Sequence, residues 1–408
     1  MYIRNICRWV LIIGLGLYGV ACQKAGMSDT VTLSPPSPDT TKDVKSMLAK
    51  SNLTLFKMAA QRVGLDSLLP GGSFFTIFAP VDTAMSSAGL DAARISGMSI
   101  DSLRQMVLYH VVQGAYNGAS LTAALNSIQA NTLRQDVTYN LQQANTYVYQ
   151  QVLYIKKTGA LYVNGEAVND PADTALAASN GYIWPVQSVL QAPQQTIWEL
   201  LQSRPELSLY LASLRIIDSI YRSIGWLQYP NPNATSDSVV FTALSYANQQ
   251  SFGSHVSLAS VFAPTDSAFA AAGFHSTADL LAYATQTMAG FVTIDQYGTQ
   301  KQVFSPLDSV LKQHFIINNT YVFSNLSLYN DFLFNPDINN GGFNGNQYAP
   351  GFNPHLNIFL QFKNAGNTVN IQWSPQAPTA VLPAGKSDHF MMTNGVVYEI
   401  NQLFYSHN

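Results

Sequence analysis

The chain has 408 residues, of which 47% are hydrophobic and 11% charged, and a net charge of −3. That length allows two or three domains with packed cores, and a charged share well under the usual ~25% leaves Ser, Thr, Asn and Gln to build the surface. No basic or acidic block offers an electrostatic footprint for a phosphate backbone, so nucleic acid is excluded as a partner. A surface of neutral hydrogen-bonding groups suits a glycan or other neutral polymer, and equally an uncharged secreted protein with no such partner.

Arg4 and Arg8 precede an apolar run from Trp9 to Ala21. The run is shorter than the ~20 residues of a membrane span and has the layout of a secretory signal. Residues 1–21 resemble a bacterial lipoprotein signal, in which Cys22 is lipidated and becomes the first mature residue. Gly19 departs from that pattern, which usually has Leu three positions before the cysteine. The alternative is an ordinary secretory signal with a free Cys22. Cys7 leaves with the signal, so no intrachain disulfide can form. Residues 22–41, with Pro35, Pro36 and Pro38, read as a semi-extended tether.

An amphipathic helix is predicted over 44–65, followed by a β-branched and aromatic strand at 73–78. Pro80 is expected to stop the ladder because it has no backbone N–H. Asp82 is placed to cap a helix starting near Thr83, and Gly89 to end it. The stretch TIFAPVDTAMSSAGL at 76–90 returns as SVFAPTDSAFAAAGF at 260–274, with seven of fifteen positions identical. We read this as an internal repeat. It extends outward in both directions. The helix-to-strand segment 103–116 matches 307–321, the closing strand of 178–191 matches 392–405, and the opening helix at 44–65 matches one at 196–220.

The residues Phe78-Ala-Pro-Val-Asp82, Tyr109-His110 and Asn180-Gly181, with Phe262-Ala-Pro-Thr-Asp266, His314 and Asn394-Gly395-Val396-Val397 in the second copy, resemble the fasciclin (FAS1) domain. The resemblance covers 42–192 and 194–405. It implies an α+β fold, two tandem domains that are each a β-sandwich or wedge flanked by small helices. It also implies adhesion, and it puts Tyr109, His110 and His314 forward as ligand contacts. The other reading of these histidines is a core role, with both ring nitrogens satisfied internally at the helix-to-strand junction. Two departures stand out. Gln313 replaces the tyrosine of the second copy, and Trp184-Pro185 lie inside the first closing strand, which predicts an edge or a bulge there.

No GxSxG, HExxH or P-loop is present, and the seven histidines never pair at helical spacing. The segment 337–342 faintly resembles a calcium loop, but Tyr348 stands where its twelfth-position acid belongs. We therefore expect no enzyme, no cofactor and no metal. The stretch 326–357 is dense in aromatics among Asn, Gln and Gly, including Tyr329, Phe343, Tyr348 and Phe352. An aromatic face stacks on a sugar ring while amides bond its hydroxyls. A long loop pinned by buried aromatics would have the same composition.

Tripeptides of Asp, Ser or Thr and an apolar residue or Thr recur, at 66–68, 82–84, 101–103, 237–239, 308–310 and elsewhere. They are similar to O-glycosylation signals of some bacterial lineages, and helix capping by Asp and Ser would produce the same pattern. The sequence as a whole reads as a lipid-anchored protein of the cell envelope, at the outer membrane. Its work is non-catalytic binding to an extracellular protein, or alternatively polysaccharide capture through 326–357.

Overall fold

The computed structural model describes residues 41–124, 127–135, 137–141, 145–149, 151–223, 255–286, 292–294, 300–302, 305–321, 361–364, 368–373, 380–383, 389–393 and 395–405. Among these, no helix is long and apolar enough to cross a membrane. Cys22 and the aromatic stretch 326–357 lie outside the described residues.

The predicted opening helix is three helices. α1 (Val44–Lys50) ends where Ser51 turns extended and its hydroxyl donates to the Leu48 carbonyl. α2 (Thr54–Arg62) stops before Gly64, whose left-handed φ of 69° starts α3 (Leu65–Leu68). The apolar spacing runs through both breaks, so periodicity alone merges them. Next come β1 (Phe75–Pro80), α4 (Asp82–Ser87), α5 (Ala92–Gly97) and α6 (Ile100–Tyr109), and β2 (Val111–Gln113) leaves α6 directly. After α7 (Gly118–Ala123) the chain is mostly strand. β3 (Ile128–Asn131), a hairpin of β4 (Val137–Leu141) and β5 (Asn145–Tyr149), β6 (Val152–Thr158), β7 (Ala160–Val163) and β8 (Glu166–Ala167) lead to β9 (Leu176–Ala178) and β10 (Gly181–Val186).

Two four-stranded sheets result, β2-β1-β10-β9 and β3-β6-β7-β8. The second is antiparallel throughout, whereas β1 and β10 pair in parallel from Phe75 opposite Gly181 to Pro80 opposite Val186. Side chains alternate across β1. Phe75, Ile77 and Ala79 pack on the helices through Phe56, Leu103 and Val107. Phe78 packs the other way, with Trp184 and Val186, against Leu153, Ile155 and Val163 of the second sheet. The layers are therefore helices, sheet and sheet, the α+β sandwich with small flanking helices that the sequence implies.

Both prolines sit in this sheet without breaking it, and parity explains why. Phe75 and Val81 donate to the Asn180 and Val186 carbonyls of the β10 side, while Phe78 donates to His110 on the β2 side. Pro80 therefore turns its missing N–H toward β2, which does not extend that far. The ladder resumes at Val81, so Pro80 does not end it as the sequence suggests. Likewise Pro185 points its nitrogen toward β9, whose pairing stops opposite Ile183. β10 is an interior strand at Gly181–Ile183 and an edge from Trp184 onward, without a bulge.

The second copy repeats this arrangement. Pro205 divides its predicted opening helix into α8 (Ile197–Ser203) and α9 (Ser208–Ser223), joined by a 3₁₀ turn. Its sheet has the order β14-β11-β19-β18, built from β11 (His255–Pro264), β14 (Phe315–Tyr321), β18 (Phe390–Met392) and β19 (Gly395–Ile400). β11 and β19 pair in parallel, with Ala259 opposite Gly395 and Pro264 opposite Ile400. The glycine thus falls opposite the residue five before the proline in both copies. Phe262 stacks on Tyr398, 5.7 Å between ring centres, where the first copy pairs Phe78 with Trp184. Between these strands lie α10 (Asp266–Ala271), α11 (Thr277–Thr285), a hairpin of β12 (Val292–Ile294) and β13 (Gln300–Gln302), and α12 (Pro306–Leu311). An antiparallel sheet of β15 (Gln361–Asn364), β16 (Thr368–Gln372) and β17 (Ala380–Pro383) occupies the longer His-to-Asn segment.

The glycine of the Asn180-Gly181 pair is fixed by space. Gly181 has φ 154°, and a Cβ built on it would lie 1.7 Å from the Phe75 carbonyl oxygen. Gly181→Ala should therefore cost roughly 3 kcal/mol or more in denaturant unfolding. Gly71→Ala, where a Cβ meets nothing within 4 Å, should stay within about 0.5 kcal/mol.

Candidate functional site

Asp82 and Asp266 cap helices, but not the ones they begin. The N-caps of α4 and α10 are Val81 and Thr265, and neither makes a side-chain cap bond. Asp82 Oδ1 instead accepts from the Leu55 N–H, 2.9 Å away, in the first turn of α2. Asp266 Oδ1 accepts from Leu209 N–H at 2.8 Å, and its Oδ2 from the Ser208 hydroxyl at 2.6 Å, at the start of α9. The N-cap of α2 is Leu53, which has no side-chain acceptor of its own, so the carboxylate arrives from across the fold. Each aspartate ties the corner after the central strand to the copy's opening helices.

His110 and His314 are fully buried, at 0% exposure. In His110, Nδ1–H donates to the Met106 carbonyl at 2.8 Å and Nε2 accepts from Leu190 N–H at 2.9 Å. In His314, Nδ1–H donates to the Phe262 carbonyl at 3.0 Å and Nε2 accepts from Phe404 N–H at 3.0 Å. These bonds select the neutral Nδ1–H tautomer. Leu190 and Phe404 each stand four residues beyond the closing strand, so both rings hold the same point of the chain. Burial pushes His110 down to about 4 and His314 down to about 3, and the backbone bond to Nδ1 offsets only part of this.

Tyr109 is also buried, at 1% exposure, and its hydroxyl accepts from Asn164 Nδ2 at 3.0 Å. Asn164, at φ 52°, turns β7 into β8, while its Oδ1 accepts from Tyr154 N–H at 2.9 Å. Burial raises the Tyr109 phenol above its ordinary value. Gln313, which replaces this tyrosine in the second copy, donates to the Ser309 carbonyl of its own segment, at 3.4 Å. Asn180 belongs to the same set of ties: its Oδ1 accepts from Val44 N–H at 2.8 Å, at the start of α1. Tyr109 and His110 are therefore placed in the interior of the first copy and His314 in that of the second. Tyr329, Phe343, Tyr348 and Phe352 lie outside the described residues.

The surface feature that sequence reading missed is a groove of about 810 Å3 on the first copy, walled by Leu68, Pro70, Phe74, Gln113, Gly114 and Leu133 among others. None of its lining residues is ionisable. Leu68 and Phe74 are 40% and 42% exposed and line the same groove, so two large apolar side chains share one surface patch. Phe74 precedes the paired part of β1, and Leu68 ends a four-residue helix. Neither position has a periodic partner, so only their apolar identity next to Pro70 and Gly71 could have signalled them. Among the described residues, no group of three or more His, Cys, Asp or Glu could hold a metal ion.

Residues 51–192 match the family model of the fasciclin domain, and that segment is a fasciclin domain. Fasciclin domains generally serve cell adhesion or binding, and the family is non-catalytic. Among solved structures, the chain is similar to a FAS1 domain pair from the insect cell adhesion molecule Fasciclin I. Identity is 14%, over 88% of this chain and 98% of that one, with a TM-score of 0.32, too low to bear on the arrangement described above. The comparison with curated proteins finds no match.

Two outcomes follow from these ties. Asp82→Ala should cost about 1 kcal/mol and speed hydrogen exchange in the first turn of α2, whereas Asp82→Asn, which keeps the acceptor, should cost less. The folded values of His110 and His314 lie below the ordinary 6.5, so the unfolded chain binds the extra protons. Stability present above pH ~6.5 should fall as pH drops toward 4, by about 1.4 kcal/mol per unit for each histidine. Denaturant unfolding from pH 7 to pH 4.5 checks this, and His110→Asn should flatten the slope.

Proposed function

We propose that this chain is a non-catalytic binding protein of the cell envelope. A lipid on Cys22 anchors it at the outer membrane, and it contacts an extracellular protein on a matrix, surface or neighbouring cell. The observation carrying this reading is a fasciclin domain at 51–192 whose sheet order, register and buried ties recur in the second half. The scaffold is spent on holding itself together, so binding falls to surfaces that differ between the copies. In the first copy the contact is the groove at Leu68 and Phe74, whose uncharged lining fits an apolar side chain of a protein partner. A second reading is polysaccharide capture, favoured by the aromatic and amide composition around Tyr329, Phe343, Tyr348 and Phe352.

Binding of the full mature chain to immobilised matrix proteins and polysaccharides separates the two. The adhesion reading expects a signal on proteins that a Leu68→Ser/Phe74→Ser variant loses at least tenfold while its melting temperature holds. The capture reading expects a polysaccharide signal that Phe343→Ala/Tyr348→Ala/Phe352→Ala loses. Silence from a folded chain on both ligand classes contradicts both. Cys22→Ser should shift the chain from the membrane fraction to the soluble one, and its retention would contradict the anchor.

A further inference from the structure

Ten of the chain's 19 aspartates are followed by Ser or Thr and then by Ala, Val, Ile, Leu or Thr. Ser and Thr are 63 of 408 residues, so composition alone would put a hydroxyl after about three of them. Seven of the tripeptides lie among the described residues, beginning at Asp66, Asp82, Asp101, Asp173, Asp218, Asp266 and Asp308. Local helix capping does not account for them. The N-caps at the helices that hold four of them are Gly64, Val81, Ser99 and Thr265. Asp173 lies in a loop before β9, Asp218 lies inside α9, and Asp308 is the third residue of α12, in its first turn. Even where Asp82 and Asp266 cap a distant helix, the hydroxyl after them takes no part in those bonds.

Exposure follows the pattern instead. Ser67, Thr83, Ser102, Thr174, Ser219 and Ser267 are all exposed, and Ser309 is half-buried. The third residue is buried in five of the seven, at Ala84, Leu103, Ile220, Ala268 and Val310. An anchored apolar side chain thus presents the hydroxyl, with the acidic neighbour exposed or half-exposed at Asp82, Asp101 and Asp266 and buried at Asp218 and Asp308.

We propose that these tripeptides are O-glycosylation signals and that the six exposed hydroxyls carry sugars in the mature protein. Phosphate is the poorer occupant, because its charge of about −2 would sit beside a carboxylate. A neutral glycosyl group has no such conflict and hydrates a surface that has few charges. The transfer uses a glycosyl diphosphate donor. The Ser or Thr oxygen bonds to the anomeric carbon, the bond from that carbon to the diphosphate oxygen breaks with its electron pair, and the hydroxyl proton passes to a base of the transferase. The aspartate is the recognition element.

Peptide mass spectrometry of the full chain, purified from the cell that makes it, tests this. Sugar increments are expected on the peptides holding Ser67, Ser102 and Thr174. They should vanish one at a time in Asp66→Glu and Asp101→Glu, both exposed positions, in protein with an unchanged circular dichroism spectrum. Unmodified peptides, phosphate increments, sugars spread equally over Ser and Thr outside the tripeptides, or sugars that persist in both variants would each overturn the proposal.

Discussion

The parallel pairing of β1 with β10 joins the start of the domain to its end, and the remaining ties depend on where it puts them. Parallel neighbours need a long crossover, and here that crossover is almost the whole domain, including the second sheet. Closing so long a loop costs chain entropy, and parallel pairing of distant strands forms late. The repeated motifs meet that cost at fixed points. Asn180 and Gly181 let β10 approach β1 closely, with the Asn180 side chain holding the start of α1. Asp82 ties the far end of β1 to α2, and His110 holds the chain just after β10. The second copy has the same aspartate bond and the same bond to the histidine Nε2.

This division of labour separates scaffold from surface. Asp82, Asp266, His110, His314 and Asn180 are occupied with backbone or a neighbouring hydroxyl, and a buried neutral imidazole with both nitrogens bonded has no atom left to offer a ligand. What differs between the copies lies elsewhere: the uncharged groove at Leu68 and Phe74 in the first, and the longer His-to-Asn segment in the second. A module built this way can vary its contacts without disturbing the pairing that holds it closed.

Much of the scaffold was legible in the sequence. Strand character at 73–78, the glycine stops at Gly89 and Gly273, and the helix-to-strand step at His110 all follow from local chemistry. What stayed hidden depends on distance or parity. Asp82 looks like a cap for the next helix because adjacency is all a sequence shows, yet its partner is Leu55. Pro80 and Pro185 look like ladder stops, but whether a missing N–H matters depends on which neighbour that side faces. The breaks at Ser51 and Gly64 left the apolar period intact. The groove escaped notice because Leu68 and Phe74 gather from separate elements with no common spacing.

Residue-resolved hydrogen exchange at neutral pH tests most directly whether the histidine ties and the central parallel pair hold each domain closed. The amides of Leu190 and Phe404 lie outside regular strands, in segments that would ordinarily exchange as loops. If the ties organise the fold, both should exchange only as slowly as the paired amides of β1, β10, β11 and β19. Exchange of Leu190 and Phe404 at the rate of exposed loops, with those strands still protected, would show that the histidines are passengers and contradict the account.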